Sequence, residues 1–136
     1  MEDMDMMYQE NILDHYKNPR NFGTIKNASV HHHEKNPLCG DELNLFLVID
    51  KNKKIADVKF SGHGCAISQA SASMLTEKMK GKSIEDVNKL TKEDILEMLG
   101  IPLSPVRLKC ALLSLDTFKN GVLIFEKYID KKKNNI

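Results

Sequence analysis

Leu43, Leu45, Leu47 and Ile49 fall on one face of an alternating stretch, and Ala56, Val58 and Phe60 alternate likewise after the polar turn Asp50-Lys51-Asn52-Lys53. A period of two on both sides of a short polar turn predicts an antiparallel hairpin, with residues 43 and 60 paired at one end of its ladder. Phe46 and Val48 make the second face of the first strand partly apolar, so both faces are expected to be covered at the centre. After Gly62-His63-Gly64 the spacing becomes helical: Ile67, Ala70, Met74 and Leu75 form a stripe that Gly81 ends. Ser83 with Asp86, and Thr91 with Asp94, each place a capping hydroxyl three residues before an acid, marking two short helices that end near Leu90 and at Gly100. Ser104 caps a last, longer helix with Pro105 at its first position and Leu108, Leu112, Leu115, Val122 and Phe125 as its buried stripe.

Upstream, residues 6–17 put Met7, Ile12 and Leu13, with Tyr8, His15 and Tyr16, on a short helix that Asn18-Pro19 ends, His15 packing on that helix. Between Asn21 and Pro37 no period survives. That segment, with His31, His32 and His33, reads as an extended or mobile polar loop, with room for a third strand beside the hairpin. Strands first and helices afterwards give an α+β class: a small antiparallel sheet packed against several helices.

The 136 residues fit one domain, 1–136, with 1–5 and 131–136 as flexible ends. Hydrophobic residues at 41% and charged residues at 29% suit a globular protein, and 20 Lys and Arg against 19 Asp and Glu give no pull towards nucleic acid. No apolar stretch approaches the roughly 18 residues of a membrane span, and the acidic start is unlike a secretory signal, so a cytoplasmic location is expected. Three cysteines in such a chain argue against a disulfide framework and for thiolate chemistry.

Cys39-Gly40-Asp41 precedes the first strand of the hairpin, Cys65 follows the second, and Cys110 lies in the first turns of the last helix. Hairpin pairing brings the first two to one end of the sheet. Cys110 sits roughly 200° around its helix from Leu108 and so can face that end. Any one cysteine alone would be read as a small buried hydrophobe; three of them with adjacent glycines and an acid form a ligand set. Three thiolates and a carboxylate suit tetrahedral zinc or the four terminal ligands of a [2Fe-2S] cluster. The carboxylate is the harder, poorer ligand for iron–sulfur iron, which favours release. At a helix N-terminus Cys65 is expected to be stabilised as thiolate. His63 is read either as a partner or proton shuttle beside Cys65 or as a turn residue. His31, His32 and His33 are transient ligands at most, and the methionines Met1, Met4, Met6 and Met7 are packing or fraying residues.

Asp14-His15-Tyr16-Lys17-Asn18-Pro19-Arg20-Asn21-Phe22-Gly23, Asn36-Pro37-Leu38-Cys39-Gly40-Asp41, Gly64-Cys65-Ala66-Ile67-Ser68, Met79-Lys80-Gly81-Lys82 and Val106-Arg107-Leu108-Lys109-Cys110 resemble, in order and spacing, the IscU/SufU/NifU N-terminal family over roughly residues 6–128. The resemblance implies an iron–sulfur cluster assembly scaffold that receives persulfide sulfur from a cysteine desulfurase, builds a transient [2Fe-2S] cluster and passes it to apo acceptor proteins. It implies Cys39, Cys65 and Cys110 as cluster cysteines, Asp41 as the labile fourth ligand, zinc as an alternative occupant and Cys110 as the first sulfur acceptor. Lys109 stands where IscU-type members carry histidine, as in the SufU type, whereas the gap of 45 residues from Cys65 to Cys110 (110 − 65) has the IscU-like length. The IscU chaperone motif appears as Leu103-Ser104-Pro105-Val106-Arg107, which leaves docking of a specialised Hsp70 open. Two other functions fit the same residues: a zinc-dependent sulfur acceptor, with sulfurtransferase activity, and a structural zinc module. Whether the chain works as a monomer or a homodimer stays open.

Overall fold

The computed structural model describes the backbone of residues 2–37 and 40–134, and the side chains of residues 9–37 and 40–131. The order is α1 (Glu2–Lys17), β1 (Val30–Lys35), β2 (Glu42–Ile49), β3 (Ile55–His63), α2 (Ala66–Met79), α3 (Ile84–Asn88), α4 (Lys92–Leu99) and α5 (Pro105–Asn134). The α+β architecture agrees with the sequence pattern.

The three strands form one antiparallel sheet in the order β1-β2-β3. Leu43, Leu45, Leu47, Val58 and Phe60 are buried on its inner face, against Ala70, Leu75, Ala111, Leu113, Leu115, Phe118 and Val122 of α2 and α5. The register differs from the sequence expectation by two residues: Leu43 pairs with Gly62, and Phe60 with Leu45. Gly62 and His63 belong to β3 instead of a turn, because glycine does not stop a strand whose partner continues opposite it. A bulge between Val48 and Ile49 adjusts the ladder near the turn.

At the triple histidine the structure chooses the extended reading, with its room for a third strand, over the mobile loop. Val30–Lys35 is an edge strand, not a loop, with Val30 buried on the inner face and His31 and His33 on the outer one. At its inner position Glu34 a partner comes from α5, where the Asn120 amide donates to Glu34 Oε1 at 2.9 Å. His31 stacks on Phe46 across the strands with ring centroids 4.3 Å apart, which holds the outer face in place.

Both capping boxes form, at Ser83 with Asp86 and at Thr91 with Asp94, and Gly100 ends α4 in the left-handed region. The stripe of α5 is displaced from the expected one: Leu115 and Val122 are buried, but Leu108 and Phe125 are only partly covered, and Ala111, Leu113 and Phe118 fill the core instead. His15 does not pack merely on α1. Its Nδ1 lies 2.7 Å from Ser73 Oγ of α2, a hydroxyl that also accepts from the Arg20 backbone N–H at 2.8 Å. Among the described residues no helix is long and apolar enough to cross a membrane.

Candidate metal centre

Continuing the register past Glu42 and His63 sets Asp41 opposite Gly64, so the chain delivers a carboxylate to the start of α2. The tight connection before β2 is fixed by backbone bonds from Gly40 N–H to Asn36 O and from Asn36 N–H to Asp41 O, both 2.8 Å. Asp41 is only 3% exposed. Its Oδ1 accepts from the Cys65 backbone N–H at 3.1 Å, and its Oδ2 lies 3.7 Å from the Cys65 thiol. This side-chain oxygen satisfies an amide that the helix itself leaves unpaired, since Cys65 is the N-cap of α2 and offers no capping side chain. Ser68 returns a hydroxyl to the Cys65 carbonyl at 3.0 Å.

Cys110 completes the cluster from the second turn of α5. It is 1% exposed, whereas Cys65 is half-buried. The ligand atoms of Asp41, Cys65 and Cys110 all lie within 4.8 Å of one another. In a tetrahedral site with bonds of about 2.3 Å to sulfur, neighbouring ligands stand a little under 4 Å apart, so modest side-chain adjustment closes these three on an ion. The donor set fits zinc or cluster iron. A carboxylate buried beside two thiols also gains when a cation replaces the water it has lost. Cys39, the fourth residue expected here, lies outside the described residues.

His63 turns away from this cluster. Its Nε2 is 2.5 Å from Glu42 Oε2, and His33 Nε2 is 3.4 Å from Glu42 Oε1. The hydrogen bond from His63 holds the Glu42 carboxyl below the usual carboxylate range. Reading the residues one by one missed Glu42 and the partnership of His33 with it; the signal was register, which sets position 42 opposite 63. Gly64, read from the sequence only as a glycine beside Cys65, has a steric role as well. A Cβ there would stand 2.5 Å from Asp41 Oδ1 and 2.6 Å from Ser68 Oγ, so the absence of a side chain makes room for the buried carboxylate.

The family described as the NifU-like N terminal domain matches residues 7–134. The chain is 39% identical over 132 residues to the iron-sulfur cluster assembly enzyme IscU of Drosophila melanogaster, covering 95% of this chain and 84% of the relative. It is also 39% identical over 136 residues to the zinc-dependent sulfurtransferase SufU of Bacillus subtilis, covering 88% and 91%. Among solved structures, a SUF-system iron-sulfur cluster assembly scaffold protein from Fervidobacterium islandicum superposes with a TM-score of 0.73 at 33% identity, over 86% of this chain and 97% of that one.

Proposed function

The chain belongs to the NifU-like N-terminal domain family, and on that premise we propose that it is an iron–sulfur cluster assembly scaffold, holding a transient [2Fe-2S] cluster as cargo on Cys39, Asp41, Cys65 and Cys110. The observation that carries this reading is the buried Asp41 carboxylate drawn in beside two thiols by the Cys65 amide. A structural zinc site is closed by cysteine and histidine; a carboxylate is the harder, poorer ligand for iron–sulfur iron and so one that can leave.

Sulfur comes from the persulfide of a cysteine desulfurase. The Cys110 thiolate attacks the terminal sulfur, a new S–S bond forms, and the desulfurase cysteine departs as thiolate. Each transferred sulfur must gain two electrons to become sulfide, so a reductant is a necessary partner alongside the desulfurase and the apo acceptor proteins. Because Cys110 is buried, docking of the desulfurase has to open the site before sulfur reaches it.

Anaerobic reconstitution with ferrous iron, cysteine, a reductant and a desulfurase tests the proposal. Sulfur-to-iron charge-transfer absorbance is expected in the wild type, none in Cys65→Ser or Cys110→Ser, and transfer to an apo-ferredoxin slowed about tenfold in Asp41→Ala. Stoichiometric zinc that resists displacement, with desulfurase stimulation but no cluster absorbance, overturns the scaffold in favour of a zinc-dependent sulfur acceptor.

A further inference from the structure

The outer face of the sheet carries a second set of metal-ligating side chains that the scaffold chemistry does not use. His33 on β1, Glu42 on β2 and His63 on β3 come from three adjacent strands at the same end of the sheet. Glu42 and His63 are direct cross-strand partners, and His33, opposite Asn44, is the diagonal neighbour of Glu42 on the same face. The two imidazoles approach the two oxygens of one carboxylate through their Nε2 atoms, at 3.4 Å from Oε1 and 2.5 Å from Oε2. Neighbouring side chains steady the strand that carries His33: His31 is stacked on Phe46 and places its Nε2 3.4 Å from Asn44 Oδ1.

We propose that His33, Glu42 and His63 form a second divalent-metal site, separate from the cysteine centre and selective for borderline cations such as Zn2+, Fe2+ or Co2+. Two imidazoles and a carboxylate are a nitrogen–oxygen donor set of the kind that open zinc and ferrous sites use, with remaining positions left to water. The backbone that holds the three ligands is hydrogen-bonded ladder, so their Cα positions are fixed, while the side chains have freedom to close. His63 is 73% exposed and His33 47%, so both side chains are free to turn, and binding requires the two imidazoles, now on separate oxygens of Glu42, to close on one ion at about 2.1 Å. Glu42 lies one residue after Asp41 and His63 two residues before Cys65, on the opposite side of the same sheet end. Without a thiolate it binds iron or zinc more weakly than the cysteine centre and exchanges it faster.

Anaerobic titration of the full-length apo-protein with Co2+ separates the two sites, because only cysteine ligation gives intense sulfur-to-cobalt bands in the near ultraviolet. The wild type is expected to bind two equivalents. The variant with Cys39→Ser, Cys65→Ser and Cys110→Ser keeps one, seen as weak visible bands alone, and adding His33→Gln and His63→Gln weakens that one at least tenfold. His15→Gln, a histidine on α1 that bonds to α2 and takes no part in this face, leaves it unchanged. Thermal melting of each variant confirms folding, and Glu42→Gln supplies an independent loss of the same equivalent. The proposal is overturned by a single equivalent in the wild type, or by a nitrogen–oxygen site that survives His33→Gln with His63→Gln. Failure of cluster assembly leaves this result untouched, since the cobalt count is made with the cysteines replaced.

Discussion

At the turn end of the sheet backbone meets backbone: Ile55 N–H donates to Lys82 O at 2.7 Å, Gly81 N–H to Ile55 O at 2.8 Å, and Ile84 N–H to Lys53 O at 2.9 Å. The opposite end is closed by a side chain, with the Cys65 amide donating to Asp41 Oδ1 at 3.1 Å. The first kind of closure cannot be released without undoing the ladder and the start of α3. The second depends on a carboxylate, whose turning frees the Cys65 amide without breaking the ladder. A molecule that must keep its fold while its ligands exchange gains from this division, because the free energy of opening the site is separated from that of unfolding the sheet.

Two glycines two residues apart put the division to its sharpest test. Gly62 has φ +146°, and a Cβ there would run into the backbone carbonyl of Glu42. Gly62→Ala therefore strains the ladder itself and should lower stability by about 3 kcal/mol. In a chain of this size that corresponds to a fall in Tm of roughly 10 °C. Gly64→Ala meets the Asp41 carboxylate and the Ser68 hydroxyl, side-chain groups that can turn where the Glu42 backbone cannot. Its stability loss should be about 1–2 kcal/mol, the cost of parting the carboxylate from the Cys65 amide, while zinc or Co2+ affinity at the cysteine centre falls about tenfold as the carboxylate is displaced. Calorimetric melting beside metal titration reads both, and the reverse pattern would show that the two closures are one structure.

Weaker still is the effect expected at the other end. Ser83 caps α3 by accepting from the Asp86 N–H at 3.1 Å, and α3 holds Ile84 and Val87 in the core. Ser83→Ala should reduce stability by about 1 kcal/mol in denaturant unfolding and leave metal affinity unchanged. A shift in metal affinity would mean that the ends communicate.

How much of this contrast the sequence carried differs between the ends in the same way. The turn end was legible, because capping hydroxyls and acids at fixed spacing and alternating leucines are local signals, and both capping boxes form as expected. Asp41, Cys65 and Cys110 were legible as a set because glycines and thiols stood together, and the structure brings these three within reach of one ion. The strand Val30–Lys35 was legible only as an extended segment with room for a third strand, since only Val30 among its inward positions is apolar and Glu34 finds its partner Asn120 on α5, 86 residues away in the chain. His33 and Glu42 became a pair only once β1 and its register were known. The two-residue error in the hairpin had the same origin, in reading Gly62-His63 as the end of pairing when the partner strand continued beneath it.

The smallest effect concerns His15, which joins α1 to α2 well away from both ends. Burial holds its imidazole below the ordinary histidine range, and the nearby Arg20 guanidinium pushes the same way. Neutral His15 accepts from the Ser73 hydroxyl through Nδ1 at 2.7 Å, with Nε2 facing Glu77 at 3.7 Å. In the unfolded chain the imidazole takes up a proton near pH 6.5, whereas the folded state resists it until lower pH. The unfolded state thus binds more protons in that window, so stability falls as pH drops below about 6.5 and levels off once the folded imidazole also protonates. The depressed carboxyls of Asp14, Asp86 and Asp94 act only in a lower window, below the usual carboxylate range. Tm of the metal-free protein should therefore decline between about pH 7 and pH 5, and His15→Gln should flatten that decline while starting from a lower Tm at neutral pH. An unchanged slope in His15→Gln would place the acid sensitivity elsewhere, and a change in metal affinity would tie α1 to the site end that the rest of the structure keeps apart.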